Sequence, residues 1–196
     1  MTASTRKAQL VLASASPRRL DLLRQVGIVP DQVDPAEIDE AVLPRELPPV
    51  YARRVAWAKL DAVCQRHSGA YVLAADTVVA LGRRILPKAE TEDQARRCLE
   101  MLSGSRHKVL GAVVLQGPDG TRVQRLAETA VRFKRLSDSE IASYLAGDEW
   151  RGKAGGYAIQ GRAAAFIPWI NGSYPNVVGL PILETLLLLK GLGYQP

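Results

Sequence analysis

The sequence predicts an α/β protein, a mixed sheet with flanking helices. Two observations carry that expectation. Apolar runs of strand length interleave with amphipathic stretches of helical period, and two strand-like runs in mid-chain are joined by a tight turn, which a purely doubly wound sheet would not contain. With 196 residues, 47% of them hydrophobic and 23% charged, the chain has enough apolar surface for a sizeable core. Residues 1–196 are expected to make one domain, of two lobes around a central cleft, with Met1 to Lys7 lacking order.

The elements follow in order. Leu10 to Ala13 reads as a short buried strand. Ser16 offers a helix N-cap, Pro17 suits the first turn, and Leu20, Leu22, Leu23 and Val26 form an apolar stripe that Gly27 ends. Between Pro30 and Pro49, prolines and the acids Asp31, Asp34, Glu37, Asp39, Glu40 and Glu46 predict a loop or extended segment. Tyr51 to about Arg66 reads as a second helix with Ala52, Val55, Ala56 and Val63 on its apolar face, and Lys59 shares that face. Tyr71 to Val79 has the character of a strand covered on both sides, interrupted by Asp76 and Thr77, with Asp76 falling late in it. Thr91-Glu92-Asp93-Gln94 is a capping box that opens a third helix, with Ala95, Cys98, Leu99 and Leu102 inward. Val109 to Leu115 and Arg122 to Phe133 read as strands joined by Gly117-Pro118-Asp119-Gly120. Ser137-Asp138-Ser139-Glu140 is a second capping box, for a helix closed by Gly147. Arg151 to Pro181 is glycine-rich and irregular, and a last helix runs from about Ile182 to Lys190.

Composition narrows the partners. The net charge is +6, and many arginines come in pairs, such as Arg18 and Arg19 or Arg53 and Arg54. Such pairs are either a solvated surface or the mark of an anionic partner, nucleic acid or polyphosphate. An aromatic content of 6% and the lack of a recognisable binding motif count against nucleic acid. Cys64 and Cys98 belong to no CxxC pattern and fit a reducing cytoplasm. His67 and His107 are too scattered for a histidine metal site. No segment is long enough to span a membrane, and the apolar run after the basic N-terminus is too short for a signal peptide.

Several residues invite chemistry. Arg18 and Arg19 would sit in the first turn of a helix, where the dipole opposes a cation by roughly 0.3–1 kcal/mol each. A bound anion would compensate. Backbone N–H groups, the hydroxyls of Ser14 and Ser16, and guanidinium forks together make a phosphate cradle. The competing reading has both arginines pointing to solvent or to acids in the loop ahead. Asp76 is a carboxylate inside an apolar strand and needs a cation: Lys59, Lys88 or a divalent metal. Lys59 alone could simply snorkel, and no spacing rule selects Glu40 among its neighbouring acids. Lys153 to Gly161 and Asn171 to Pro181 combine glycines with apolar residues and match neither a Walker loop nor a dinucleotide fingerprint.

Four segments taken together resemble one family. SASPRR near the start, AADTVV in mid-chain, and KAGGYAIQG and NGSYPNVVGLP late on are similar, in order and spacing, to the signature blocks of the Maf proteins. LSGSRH, from Leu102 to His107, fits as well, so the resemblance runs from about Leu10 to Lys190. It implies a nucleoside triphosphate pyrophosphatase with an elongated α/β fold similar to the inosine triphosphatase group, a divalent metal (Mg or Mn), and a homodimer. It implies Asp76 as the catalytic acid–base residue, Glu40 as the second active-site carboxylate, and Lys59 and Lys88 as the two lysines. Arg18, Thr77 and Gln160 match the branch acting on dTTP and UTP, as against the branch acting on 7-methyl-GTP. Ala158 and Ala89 depart from the family pattern in loops near the site. The expected mechanism has Asp76 and Glu40 holding the metal while Asp76 handles the attacking water. Ser14, Ser16, Arg19, Lys59 and Lys88 meet the phosphates, and Arg18, Thr77 and Gln160 contact the base. The alternatives are a 7-methyl-GTP-type enzyme, a nucleic-acid-binding module, or a regulatory protein of cell division.

Overall fold

Leu10–Ala13 is β1, and all four of its residues are buried. The computed structural model describes residues 8–195, and the expectation for Met1 to Lys7 lies outside them. Next come α1 (Pro17–Gln25), β2 (Gln32–Val33) and α2 (Pro48–Cys64). β3 (Tyr71–Leu81) is followed by β4 (Arg84–Leu86), β5 (Lys88–Ala89) and α3 (Glu92–Leu102). β6 (Arg106–Gln116), β7 (Arg122–Arg132) and α4 (Asp138–Leu145) complete the middle of the chain. The last part holds β8 (Lys153–Ala154), a 3-10 turn (Arg162–Phe166), β9 (Trp169–Asn171), α5 (Tyr174–Val178) and α6 (Ile182–Gly191).

The main sheet runs β2-β1-β3-β6-β7-β9, with β4 also on β3. β1 is parallel to β2 and β3, whereas β3-β6, β6-β7 and β7-β9 are antiparallel. The expected mixed α/β class is therefore what forms. Side chains alternate across the strands. Leu10, Leu12, Tyr71, Leu73 and Val79 pack with Leu99, Leu102 and Leu189 on one face. Val11, Ala13, Val72, Ala74 and Val78 pack with Val55, Ala56, Leu60 and Val63 of α2 on the other.

The local signals behave as expected at α3 and α4, where both capping boxes close. Ser16 stands at the N-cap of α1, yet its side chain makes no cap hydrogen bond. Several boundaries differ from expectation. α2 starts at Pro48, because a proline's fixed φ suits a first helical turn. β3 continues to Leu81, so Asp76 lies mid-strand rather than near its end. The strand can continue there because β4 pairs with its last residues. Arg151 to Pro181 is not irregular throughout: β9 extends the sheet edge and β8 pairs with β5. Elements of two or three residues are too short to show a period in sequence.

Candidate active site

The site begins as an interruption in the sheet. β6 occupies one edge of β3 from Val72 to Ala80. On the other edge, β1 pairs with Tyr71 to Ala74 and β4 with Val79 to Leu81. Ala75 to Val78 have no strand neighbour on that edge, and the chain leaving β1 at Ser14 opens a cleft of about 450 Å³ beside them. Consecutive residues of a strand point to opposite faces, so Asp76 and Thr77 meet different partners through the same gap.

Asp76 faces α2. It is 2% exposed, and its Oδ1 accepts a hydrogen bond from Lys59 Nζ at 2.8 Å. The same ammonium lies 2.8 Å from Glu40 Oε1, so one cation bridges two carboxylates. Lys59 reaches them because Tyr51, Val55 and Lys59 fall on one buried face of α2. Glu40 Oε2 pairs with Lys88. Burial alone would push the Glu40 carboxyl up, but the hydrogen bonds from Lys59 and Lys88 outweigh it and hold the group below the usual carboxylate range.

Thr77 faces the other way. Its hydroxyl donates to the Gly179 carbonyl at 3.1 Å and accepts from Arg19 Nη2 at 3.2 Å. Arg19 Nε donates to the same carbonyl at 2.8 Å, and Nη1 to Ser14 Oγ at 2.9 Å. Three of the five guanidinium N–H donors are thus spent on positioning, and two remain for an anion. Arg19 is 8% exposed, which excludes the reading in which it points to solvent. Burial lowers its pKa, and Asp76 and Glu40 partly restore it. Gly179 has a φ of 148°, a conformation that favours glycine. The short α5 ahead of it is anchored by buried Asn176, whose Nδ2 donates to the Val109 carbonyl and Thr129 Oγ1.

The facing wall is built by β5 and β8. Their pairing sets Lys88 opposite Ala154 and Ala89 opposite Lys153. Gly155 follows with a φ of 69°, and a Cβ there would lie 2.8 Å from Val79 Cγ1, so the wall can press against β3 only with glycine at this position. Tyr157 lines the cleft, and its hydroxyl meets Nε2 of buried His107 at 2.8 Å. Gln160 lines the cleft from an exposed position, and half-buried Arg18 and Ser16 line it from α1 and its N-cap.

All the residues expected at the site, Ser14, Ser16, Arg18, Arg19, Glu40, Lys59, Asp76, Thr77, Lys88 and Gln160, therefore border one cleft. Lys153 and Arg151 border it too, and sequence reasoning missed both. Their place in and beside the KAGG block was the available signal. Burial and the nearby Arg18 guanidinium lower the Lys153 pKa, and burial followed by Arg19 does the same to Arg18. Six cationic side chains face two carboxylates. The cations disfavour one another, and a polyanion would relieve them.

Among the described residues no group of three or more His, Cys, Asp or Glu could hold a metal ion. Asp76 and Glu40 are two hard oxygen donors joined through one ammonium. That donor set does not suit a closed structural zinc site. It does suit Mg²⁺ or Mn²⁺, which take one or two carboxylates and complete their shell with water and substrate phosphates.

Fold and cleft together define a protein with six cationic side chains and two carboxylates gathered at a gap in a mixed sheet. A model for the Maf-like protein family matches residues 9–192, and the chain belongs to the Maf family. A Rhodospirillum rubrum protein named dTTP/UTP pyrophosphatase is 65% identical over 187 residues, covering 95% of this chain and 89% of its own length. One of the same name from Caulobacter vibrioides is 62% identical, covering 95% of this chain and 97% of its own. Among solved structures, the Staphylococcus aureus Ham1 protein aligns with a TM-score of 0.46 at 14% identity, over 63% of this chain and 71% of that one.

Proposed function

We propose that this chain is a nucleotide pyrophosphatase that hydrolyses dTTP and UTP to the monophosphate and pyrophosphate. The observation that carries the reading is the Lys59 ammonium held between Asp76 and Glu40, in a sheet gap that opens on Ser14, Arg19 and Lys88. The names of relatives more than 60% identical over nearly the whole chain support the substrate.

In this reading a water bound beside Asp76 gives its proton to the carboxylate as its oxygen bonds to the α-phosphorus. The bond from that phosphorus to the oxygen bridging to the β-phosphate breaks, and pyrophosphate leaves. Arg19, with two free N–H donors beside Ser14, meets the charge growing on the leaving group, and Lys88 does so from the opposite wall. Lys59 holds the buried Asp76 carboxylate in place through its 2.8 Å hydrogen bond. Of the three side chains that the family resemblance sets at the base, Arg18 and Gln160 contact it, while the Thr77 hydroxyl is engaged with Arg19 and the Gly179 carbonyl. The reading includes a divalent cation, Mg²⁺ or Mn²⁺, with Asp76 and Glu40 as its ligands; when bound, it neutralises phosphate charge and polarises the α-phosphorus. It also includes a reducing cytoplasmic setting, which the free thiols Cys64 and Cys98 suit.

The test is Asp76→Asn, assayed with dTTP and UTP by pyrophosphate release in Mg²⁺ or Mn²⁺. Turnover is expected to fall about 10²–10⁴-fold, the usual worth of a general base. The melting temperature should stay near wild type, because Lys59 keeps Glu40 as a partner. Near-normal turnover by Asp76→Asn would remove that residue from the mechanism.

A further inference from the structure

Glu40 comes from a stretch of chain with no helix or strand between β2 and α2. Apolar burial fixes only the part ahead of Glu40, where half-buried Ala36 and Ile38 pack on the core; after it, Val42, Leu43 and Leu47 are 48%, 51% and 40% exposed. Yet the Glu40 carboxylate meets two lysines at once. Polar contacts from α2 supply the restraint. The Tyr51 hydroxyl donates to the Glu40 carbonyl at 2.8 Å, and Arg54 Nη2 donates to the Ala41 carbonyl at 2.8 Å. Arg54 also grips Glu46 bidentately, at 2.7 Å through Nε and 2.8 Å through Nη2. Glu46 in turn accepts from the Leu43 N–H at 3.0 Å. The Arg54 guanidinium lies over the Tyr51 ring, 5.4 Å from its centroid. Inside the loop Arg45 has a φ of 62°, and such a conformation in a residue with a side chain persists where surrounding contacts over-determine it.

We propose that Arg54, Glu46 and Tyr51 form a positioning clamp that fixes the direction of Glu40 and so sets the rate of hydrolysis. The two carbonyls at Glu40 and Ala41 are tied to α2, which turns the Glu40 side chain toward the cleft. The helix that holds the loop also carries Lys59, so a single rigid element presents both the anchor and the ammonium that the carboxylate meets. None of the three clamp residues lines the main cleft, and Tyr51 alone of them borders the adjoining hollow with Glu40, Asp76 and Lys88. Arg54 and Glu46 border neither hollow, so their route to the chemical step runs through the loop that carries Glu40, and the inference rests on the role proposed for that residue.

The test is a double-mutant cycle in the full-length protein with dTTP and Mg²⁺: wild type, Glu40→Gln, Arg54→Met and the double variant, each assayed well below its melting temperature. Arg54→Met is expected to lower kcat by about 10–100-fold with a smaller change in KM, the scale that a misplacement of about 1 Å produces. In the Glu40→Gln background the same change should cost nothing further, because there is no carboxylate left to aim. If Glu40→Gln is too slow for steady-state assay, single-turnover measurement with the protein in excess over dTTP reads the same cycle. If Arg54→Met fails to fold, Tyr51→Phe, which removes one hydroxyl, takes its place. A wild-type kcat in Arg54→Met beside a slow Glu40→Gln overturns the clamp and leaves the active-site reading intact. Equal losses in both backgrounds overturn it too, since the arginine would then act elsewhere. A wild-type rate in Glu40→Gln overturns the role of Glu40, and the clamp with it.

Discussion

Thr77 illustrates how a side chain's bonds decide what it can do. The family resemblance implies base contact, but its hydroxyl is engaged with Arg19 and the Gly179 carbonyl. Thr77→Val should therefore loosen Arg19 and lower kcat/KM for dTTP and UTP by the same factor, on the order of tenfold, as for loss of a hydrogen bond to a charged group. Steady-state kinetics on both substrates check this; a change in their ratio would return Thr77 to base selection. Lys59 offers a stability test. Its side chain and that of Asp76 are 9% and 3% exposed, so Lys59→Met leaves a buried carboxylate without its cation. Breaking such a pair costs about 3–5 kcal/mol. Urea unfolding should register that loss, and adding Asp76→Asn should restore part of it. The need of Asp76 for a cation was legible in the sequence, because an acid in an apolar strand demands one. Which cation it takes was not, since Lys59, Lys88 and a metal all satisfy the same demand. Arg54 read as half of an arginine pair meant for solvent or for an anionic partner, because nothing local to it marks Glu46 as its partner.

The wall carrying the KAGGYAIQG block is tethered to β6 by the contact between Tyr157 and His107. His107 is 1% exposed, and burial lowers its pKa from 6.5 to about 4. The folded protein thus keeps this imidazole neutral where the unfolded chain would bind a proton. Its contribution is complete above pH 6.5 and is lost as the pH falls from there toward 4, by on the order of 3 kcal/mol. Urea unfolding between those limits should show this acid-side loss, and His107→Gln should flatten it. An unchanged slope in the variant would assign the loss to other groups. At this scale local signals read well: both capping boxes stand where Thr91 and Ser137 predict. The gap along one edge of β3, between β1 and β4, did not read at all. It depends on where β1 stops and β4 starts, two segments far apart in sequence whose register on β3 only the folded chain sets.

The whole molecule carries +6, and six of its cations line one cleft with two acids. Concentration of positive charge in a concavity favours a compact polyanion over an extended strand, and it makes capture sensitive to salt. The KM for dTTP should therefore rise with ionic strength more steeply than kcat falls. The most direct test of the account is hydrolysis of dTTP in water labelled with heavy oxygen, followed by mass analysis of both products. Attack at the α-phosphorus beside Asp76 predicts the label in the monophosphate and none in the pyrophosphate. Label in the pyrophosphate, or release of orthophosphate in its place, would contradict it.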